Sequence, residues 1–328
     1  MNLSIIGGGS WGTALAFVLA PRFDAVRLWV YEQDLAGRMA RTRENDVYLP
    51  GFRLPDSVEI TGDARRAAEG AGILLGVMPS HYARRMYQEV RPSLSPETIL
   101  VSATKGIETG TLLRMSEVVG QVTGRERVAV LSGPTFAREV ARGDPTAVVV
   151  ASSVPALAAE VQAAFSGPAF RLYTSDDPVG VELAAALKNV IAIAAGICQG
   201  LGLGNNTLAA LIARGLAEIT RLAVAMGGET RTLSGLAGLG DLVLTCTGEL
   251  SRNRRVGLEL AKGRPLAEIV ASMRMVAEGI ETCQAAVDLA ERHSVEMPIT
   301  RRMYAILRQG KPPREAVREL MERSLKGE

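Results

Sequence analysis

An apolar run that ends in three consecutive glycines opens the chain, reading NLSIIGGGSWGTALAFVLA from Asn2 to Ala20. Gly7, Gly9 and Gly12 stand in the G-x-G-x-x-G spacing, directly after a strand-like segment and directly before one of helical period. That context constrains the fold strongly. Gly7 permits a tight turn, Gly9 lets backbone approach a pyrophosphate, and Gly12 lets the helix lie close to the strand. The helix N-terminus then presents unpaired N–H groups and partial positive charge to phosphate. A strand–turn–helix of this kind needs a parallel sheet to complete it.

The first half of the chain supplies one. Short Val- and Ile-rich runs (AVRLWVY, GILLGVMP, TILVSATKG, VAVLSG, TAVVVAS, FRLYTS) alternate with helical segments such as QDLAGRMART, YARRMYQEV and PALAAEVQAAF. Alternation of this sort predicts a mostly parallel, doubly wound sheet covered on both faces. From about Asp176 strand-like runs vanish. Helices are expected over 179–199, 205–226, 257–262, 265–272, 278–292, 299–308 and 313–325. The fold class expected is therefore α/β, with a Rossmann-like unit over residues 1–176 and an all-helical unit over 177–328.

Charge and cysteine content narrow the function. The 328 residues carry 37 basic and 35 acidic side chains, a net charge of +2. Such balance gives no reason to expect nucleic acid as a partner. The longest apolar stretch, near 184–195, contains Lys188 and Asn189 and is too short for an integral membrane segment. Three widely spaced cysteines without a CxxC fit a reducing compartment, and the opening lacks the pattern of a secretory signal. These features suggest a cytoplasmic protein. Two histidines and no clustered carboxylates leave no metal site to expect.

One residue stands out chemically. Lys188 is the sole cation in VELAAALKNVIAIAAG, and the positions a turn away are Ala184, Ala185, Ile191 and Ala192. An ammonium there either snorkels its head out of the helix to water or, if buried, needs a partner. Desolvation would lower its pKa toward the range of a useful acid near neutral pH. Asp241, the one acid in GLAGLGDLVLTCT, is the candidate partner. Lys105 follows a strand, and Gly133 and Thr135 lie in a strand-to-loop segment, where open α/β sheets place ligands. The SRNRR cluster, with Ser251, Arg252 and Asn253, offers guanidinium, hydroxyl and amide donors suited to a phosphate, or simply a solvated basic turn. Glu32 lies twenty positions after Gly12, where an acid would take the ribose hydroxyls of NAD. Arg38, Arg41 and Arg43 are close enough in sequence to meet the extra phosphate of NADP, so the preference stays open. His81 is placed to line the same cleft, and His293 reads as surface.

The motifs GGGSWGTALA, PSH, ATKGIE, SGPTFAREVA, LKNVIAIAAG, GLGDLVLTCT, SRNRR and VAEG occur in this order over nearly the whole chain. In that order the chain resembles the bacterial NAD(P)-dependent glycerol-3-phosphate dehydrogenases. The resemblance implies reversible reduction of dihydroxyacetone phosphate to sn-glycerol 3-phosphate with NAD(P)H, feeding phospholipid synthesis. It implies Lys188 as the proton donor and acceptor. Substrate contacts fall on Lys105, Gly133, Thr135, Lys188, Asp241, Ser251, Arg252 and Asn253. Cofactor contacts fall on Gly7, Gly9, Ser10, Trp11, Gly12, Tyr31, Tyr48, Lys105, Ala137, Arg252, Val276 and Glu278. The family often has Arg or His where this chain has Tyr31, which cannot pair with a 2′-phosphate as a cation would. Relatives are often homodimers. A β-hydroxyacid reductase and a non-catalytic dinucleotide sensor are the competing readings. The phosphate-suited SRN segment argues against the first, and the presence of both Lys105 and Lys188 against the second.

Overall fold

The computed structural model describes residues 1–324. Ten strands are formed: β1 (Asn2–Ile6), β2 (Ala25–Trp29), β3 (Glu44–Asn45), β4 (Leu49–Arg53), β5 (Val58–Thr61), β6 (Ile73–Gly76), β7 (Ile99–Ser102), β8 (Val128–Ser132), β9 (Thr146–Ala151) and β10 (Phe170–Ser175). Eight of them make one sheet in the order β10-β9-β8-β7-β6-β1-β2-β5. Every neighbouring pair is parallel except β8 with β9. Strand order reverses between β1 and β6, which opens the crevice where doubly wound sheets hold ligands. Seven helices flank the sheet: α1 (Ser10–Leu19), α2 (Gln33–Thr42), α3 (Ala64–Ala68), α4 (Ser80–Val90), α5 (Met115–Thr123), α6 (Ala137–Arg142) and α7 (Pro155–Phe165). β1, β6 and β8 are buried along nearly their whole length, as strands covered on both faces must be. β3 and β4 pair as a separate antiparallel hairpin.

The rest is helical: α8 (Pro178–Gly200), α9 (Asn205–Ala225), α10 (Thr230–Leu233), a π-turn at Leu236–Gly240, α11 (Asp241–Thr247), α12 (Arg252–Ala261), α13 (Leu266–Ala271), α14 (Gly279–Arg292), α15 (Pro298–Gln309) and α16 (Pro313–Met321). The α/β sheet followed by an all-helical half is the expected fold class. Some boundaries differ. α12 starts five residues before the expected Gly257, because Ser251 caps it by accepting a hydrogen bond from the Arg254 N–H. The SRNRR segment is thus a helix N-terminus and not a turn. α16 ends at Met321, and Leu325, the expected end, lies outside the described residues.

α8 is the axis of the helical half. Asp177 starts it by accepting from the Gly180 N–H at 2.7 Å, and Pro178 occupies the first position, where its missing N–H costs nothing. The helix is long and apolar enough to cross a membrane, yet that window is 100% buried among α9, α11, α12, α14 and neighbouring elements, so no membrane span is shown. Two glycines set its closest crossing. A Cβ on Gly257 would stand 1.9 Å from the Ile193 carbonyl oxygen, and one on Gly196 would stand 1.9 Å from that of Arg254. The paired glycines let α12 lie directly on α8, which brings Asn253 to Asn189, the residue after Lys188.

Candidate active site

The turn after β1 has the form its glycines predict. A Cβ on Gly12 would fall 1.8 Å from the Gly7 carbonyl oxygen, while one on Gly9 would have nothing within 4 Å. The helix is therefore pressed onto the turn on one side and open on the other. α1 begins without a side-chain cap, so its first-turn N–H groups face that open side. The buried Trp11 Nε1 has no hydrogen-bond partner among the described residues. An uncapped helix start, an open glycine and an orphaned donor fit a bound pyrophosphate. Ala137, at the start of α6, packs in the same small cluster as Trp11.

The ends of β1, β6, β7 and β8 all point to one edge of the sheet. The loops that follow carry Gly7, Ser80, Lys105 and Gly133. At this edge one carboxylate of the helical half joins lysines from both halves of the chain. Asp241 is 1% exposed and lies between two ammonium groups. Lys188 Nζ donates to its Oδ1 at 2.5 Å and to Thr245 Oγ1 at 2.8 Å. Lys105 Nζ, from the sheet half, donates to its Oδ2 at 2.8 Å, to the Gly133 carbonyl at 3.0 Å and to Thr135 Oγ1 at 3.4 Å. Lys105, Gly133, Thr135, Lys188 and Asp241 thus form one group, and Thr245 joins it. Thr245 was not anticipated. Its position one helical turn after Asp241 was the available signal.

Electrostatics single out Lys188. Its side chain is 7% exposed. Burial pulls its pKa down from 10.5 to about 7; Asp241 opposes the shift and the Lys105 cation adds to it. A lysine near 7 can give or take a proton at physiological pH, whereas an ordinary surface lysine holds its proton.

A second cluster lies along α12 and the loop before α14. Asn253 donates from Nδ2 to Asn189 Oδ1 at 3.0 Å and accepts the Gly279 N–H at 3.0 Å. It is therefore fixed to the residue after Lys188. Arg252 is exposed as a residue, but its Nη1 donates to the Val276 carbonyl at 2.8 Å, and burial around the guanidinium pulls its pKa down while Glu278 opposes the shift. Ser251 is buried, with its hydroxyl engaged as the cap of α12. Glu278 accepts from Ser80 Oγ at 2.8 Å, a second bond across the seam between sheet and helices. Ser80, Asn189 and Thr245 are the residues here beyond those expected from sequence.

Beyond the end of β2 stand Tyr31 and Glu32, with Tyr48 of the β3–β4 hairpin against Glu32. Tyr31 is exposed, with its ring edge-on to Trp29. Tyr48 donates its phenol to Glu32 Oε1 at 2.5 Å. Of the arginines that were open as phosphate ligands, Arg38 pairs with Asp46, Arg43 is tied to the Pro55 and Val58 carbonyls, and Arg41 is exposed in the last turn of α2. His81 is exposed at the start of α4, with its ring against Tyr82. No group of three or more His, Cys, Asp or Glu suited to a metal occurs among the described residues.

Comparison with known proteins agrees across the whole chain. A family model described as the NAD-dependent glycerol-3-phosphate dehydrogenase N-terminus matches residues 2–158, and one described as the C-terminus of the same family matches residues 177–318. A glycerol-3-phosphate dehydrogenase (NAD(P)+) of Koribacter versatilis is 58% identical over 327 residues, covering 98% of this chain and 97% of that one. One from Geobacter sulfurreducens is 53% identical over 330 residues, covering 100% and 98%. The crystal structure of glycerol-3-phosphate dehydrogenase from Coxiella burnetii superposes with a TM-score of 0.94 at 42% identity, covering 98% of this chain and 99% of that one.

Proposed function

Because the chain belongs to the NAD-dependent glycerol-3-phosphate dehydrogenase family, we propose that this NAD(P)-dependent oxidoreductase interconverts dihydroxyacetone phosphate and sn-glycerol 3-phosphate, with Lys188 as its acid and base. The observation that carries this reading is the Asp241 carboxylate held between Lys188 and Lys105 at the seam of the two halves. Residues 1–176 form the dinucleotide unit in this reading, and residues 177–328 the substrate unit.

The uncapped start of α1, the Gly7–Gly12 turn, Ser10 and Trp11 would hold the dinucleotide, and Ala137, Tyr31, Tyr48, Val276 and Glu278 would supply its further contacts. When bound, the reduced nicotinamide supplies the hydride. The chain does the rest. Arg252 and the first-turn N–H groups of α12 take the substrate phosphate, because a guanidinium beside a helix N-terminus matches a dianion. Ser251 holds that helix start in shape. Asn253 has one Nδ2 hydrogen left after its bonds to Asn189 and Gly279 and offers it to the same phosphate. Lys105, fixed by Gly133, Thr135 and Asp241, polarises the substrate oxygen. Lys188 protonates that oxygen during reduction and removes the proton during oxidation. Asp241 stabilises the ammonium form enough to keep it populated near pH 7.

Product of this kind feeds phospholipid synthesis in the cytoplasm, a location supported by three free, buried cysteines. A homodimer is the assembly to test by sedimentation. The function itself is tested by following oxidation of NADH and NADPH with and without dihydroxyacetone phosphate. Oxidation that depends on the phosphorylated ketone supports the reading. Oxidation driven equally by an unphosphorylated β-ketoacid, or no oxidation with either nucleotide, refutes it.

A further inference from the structure

We propose that the Glu32 carboxylate, held in place by the Tyr48 phenol, makes this chain favour NADH over NADPH. The inference rests on the dinucleotide reading above and adds the residue pair that chooses between the two cofactors. Glu32 follows the end of β2 and stands at the start of α2. This is where doubly wound dinucleotide folds put the side chain that meets the adenosine ribose. Glu32 is exposed, and an unsupported glutamate there would sample many rotamers and swing aside for a phosphate.

Here it is supported. Tyr48 donates to Oε1 at 2.5 Å, which leaves Oε2 to accept a ribose hydroxyl. The phenol is itself held by a chain of bonds that begins at the glycine turn. Asn45, 0% exposed, donates from Nδ2 to the Gly8 carbonyl at 2.9 Å and to Thr13 Oγ1 at 2.8 Å. Its Oδ1 accepts the Tyr48 N–H at 2.9 Å. The β3–β4 hairpin is thereby bolted to the pyrophosphate turn, and its tyrosine reaches a fixed distance along the cofactor path. The phenol pKa is raised to about 12, chiefly by burial and also by Glu32, so Tyr48 stays a donor through the physiological range.

Two of the three nearby arginines are committed elsewhere, and the exposed Arg41 lies in the last turn of α2, at the far end of that helix from Glu32. Arg38 is paired with Asp46, and Arg43 serves two backbone carbonyls of the β4–β5 connection. Gln33 is turned onto the Gly62 carbonyl at 2.9 Å. Position 31, which could carry a cation, is the exposed Tyr31. A 2′-phosphate would crowd the Glu32 carboxylate and would forfeit the bond that a 2′-hydroxyl donates to it.

Calorimetric titration of the full chain with NADH and with NADPH tests this without relying on turnover. A charge-assisted hydrogen bond at stake predicts NADPH binding about 10- to 100-fold more weakly than NADH. Glu32→Gln keeps the shape and removes the charge, and should bring the ratio of the two dissociation constants toward unity. Tyr48→Phe should narrow the ratio by weakening NADH while leaving NADPH little changed. Since Tyr48 is half-buried, the exposed Glu32→Gln variant decides the matter if Tyr48→Phe folds poorly. Equal or tighter binding of NADPH by the unmodified chain overturns the inference, as does a ratio that survives Glu32→Gln. Binding of neither nucleotide would instead overturn the dinucleotide reading on which it stands.

Discussion

Replacing Asp241 with asparagine tests how the two lysines share one carboxylate. The side chain is 1% exposed and nearly the same size in either form, so packing is preserved while the charge is lost. Lys188 sits at about 7 because burial and the Lys105 cation lower its pKa while Asp241 raises it. Taking away the opposing influence leaves only the two that lower it. A charged hydrogen bond of about 1.5–3 kcal/mol corresponds to roughly 1–2 pKa units. The kinetic pKa should therefore fall to about 5–6, and the protonated fraction at pH 7 should drop from about half to roughly 1–10%. Because Lys188 acts as an acid in ketone reduction, turnover declines as pH rises through its pKa. Asp241→Asn should show that decline one to two units earlier and lose roughly 5- to 50-fold at pH 7. Activity should recover on lowering the pH to about 5. The assay is kcat for dihydroxyacetone phosphate reduction from pH 5 to pH 8.5 at saturating substrates. An inflection left near 7, or a loss equal at every pH, would refute the assignment of Asp241 as the group that sets the acidity of Lys188.

Other perturbations separate phosphate binding from scaffold. Arg252→Ala should raise KM for dihydroxyacetone phosphate about 10- to 100-fold through loss of a charged hydrogen bond, with a smaller change in kcat; an unchanged KM removes Arg252 from the phosphate site. Gly257→Ala puts a Cβ 1.9 Å from the Ile193 carbonyl oxygen, so α12 must move off α8. A thermal scan should show destabilisation of about 3 kcal/mol, the upper end of overpacking costs, and an unchanged Tm would contradict the close crossing.

Much of the fold could be read from local pattern. The β1–turn–α1 unit is encoded within eighteen residues by an apolar run and spaced glycines. Lys188 stood out because a lone charge in an alanine-rich helix needs a reason. The elements that escaped were those without a strong local signal. β5 is a four-residue edge strand, VEIT, that is only partly buried, and α3 is a five-residue helix made by Asp63 accepting the Arg65 and Arg66 N–H groups. SRNRR looks like a basic turn until Ser251 is seen as a cap. The site's pairing was the hardest part to foresee in detail. Asp241 is 53 residues from Lys188 and 136 from Lys105, and no periodicity joins such distant positions. Ser80 with Glu278, separated by 198 residues, is a product of the same seam. Asn45 and Tyr48 belong to a hairpin too short to announce itself.

Lys188→Ala bears most directly on the account, because the proton transfer assigned to the protein passes through that amine in both directions. With dihydroxyacetone phosphate and reduced nucleotide both saturating, turnover should fall roughly 10²–10⁴-fold while the nucleotide dissociation constant stays within about twofold of the unmodified chain, since a placed proton donor contributes to chemistry and not to cofactor affinity. Turnover close to that of the unmodified chain would show that the proton comes from elsewhere.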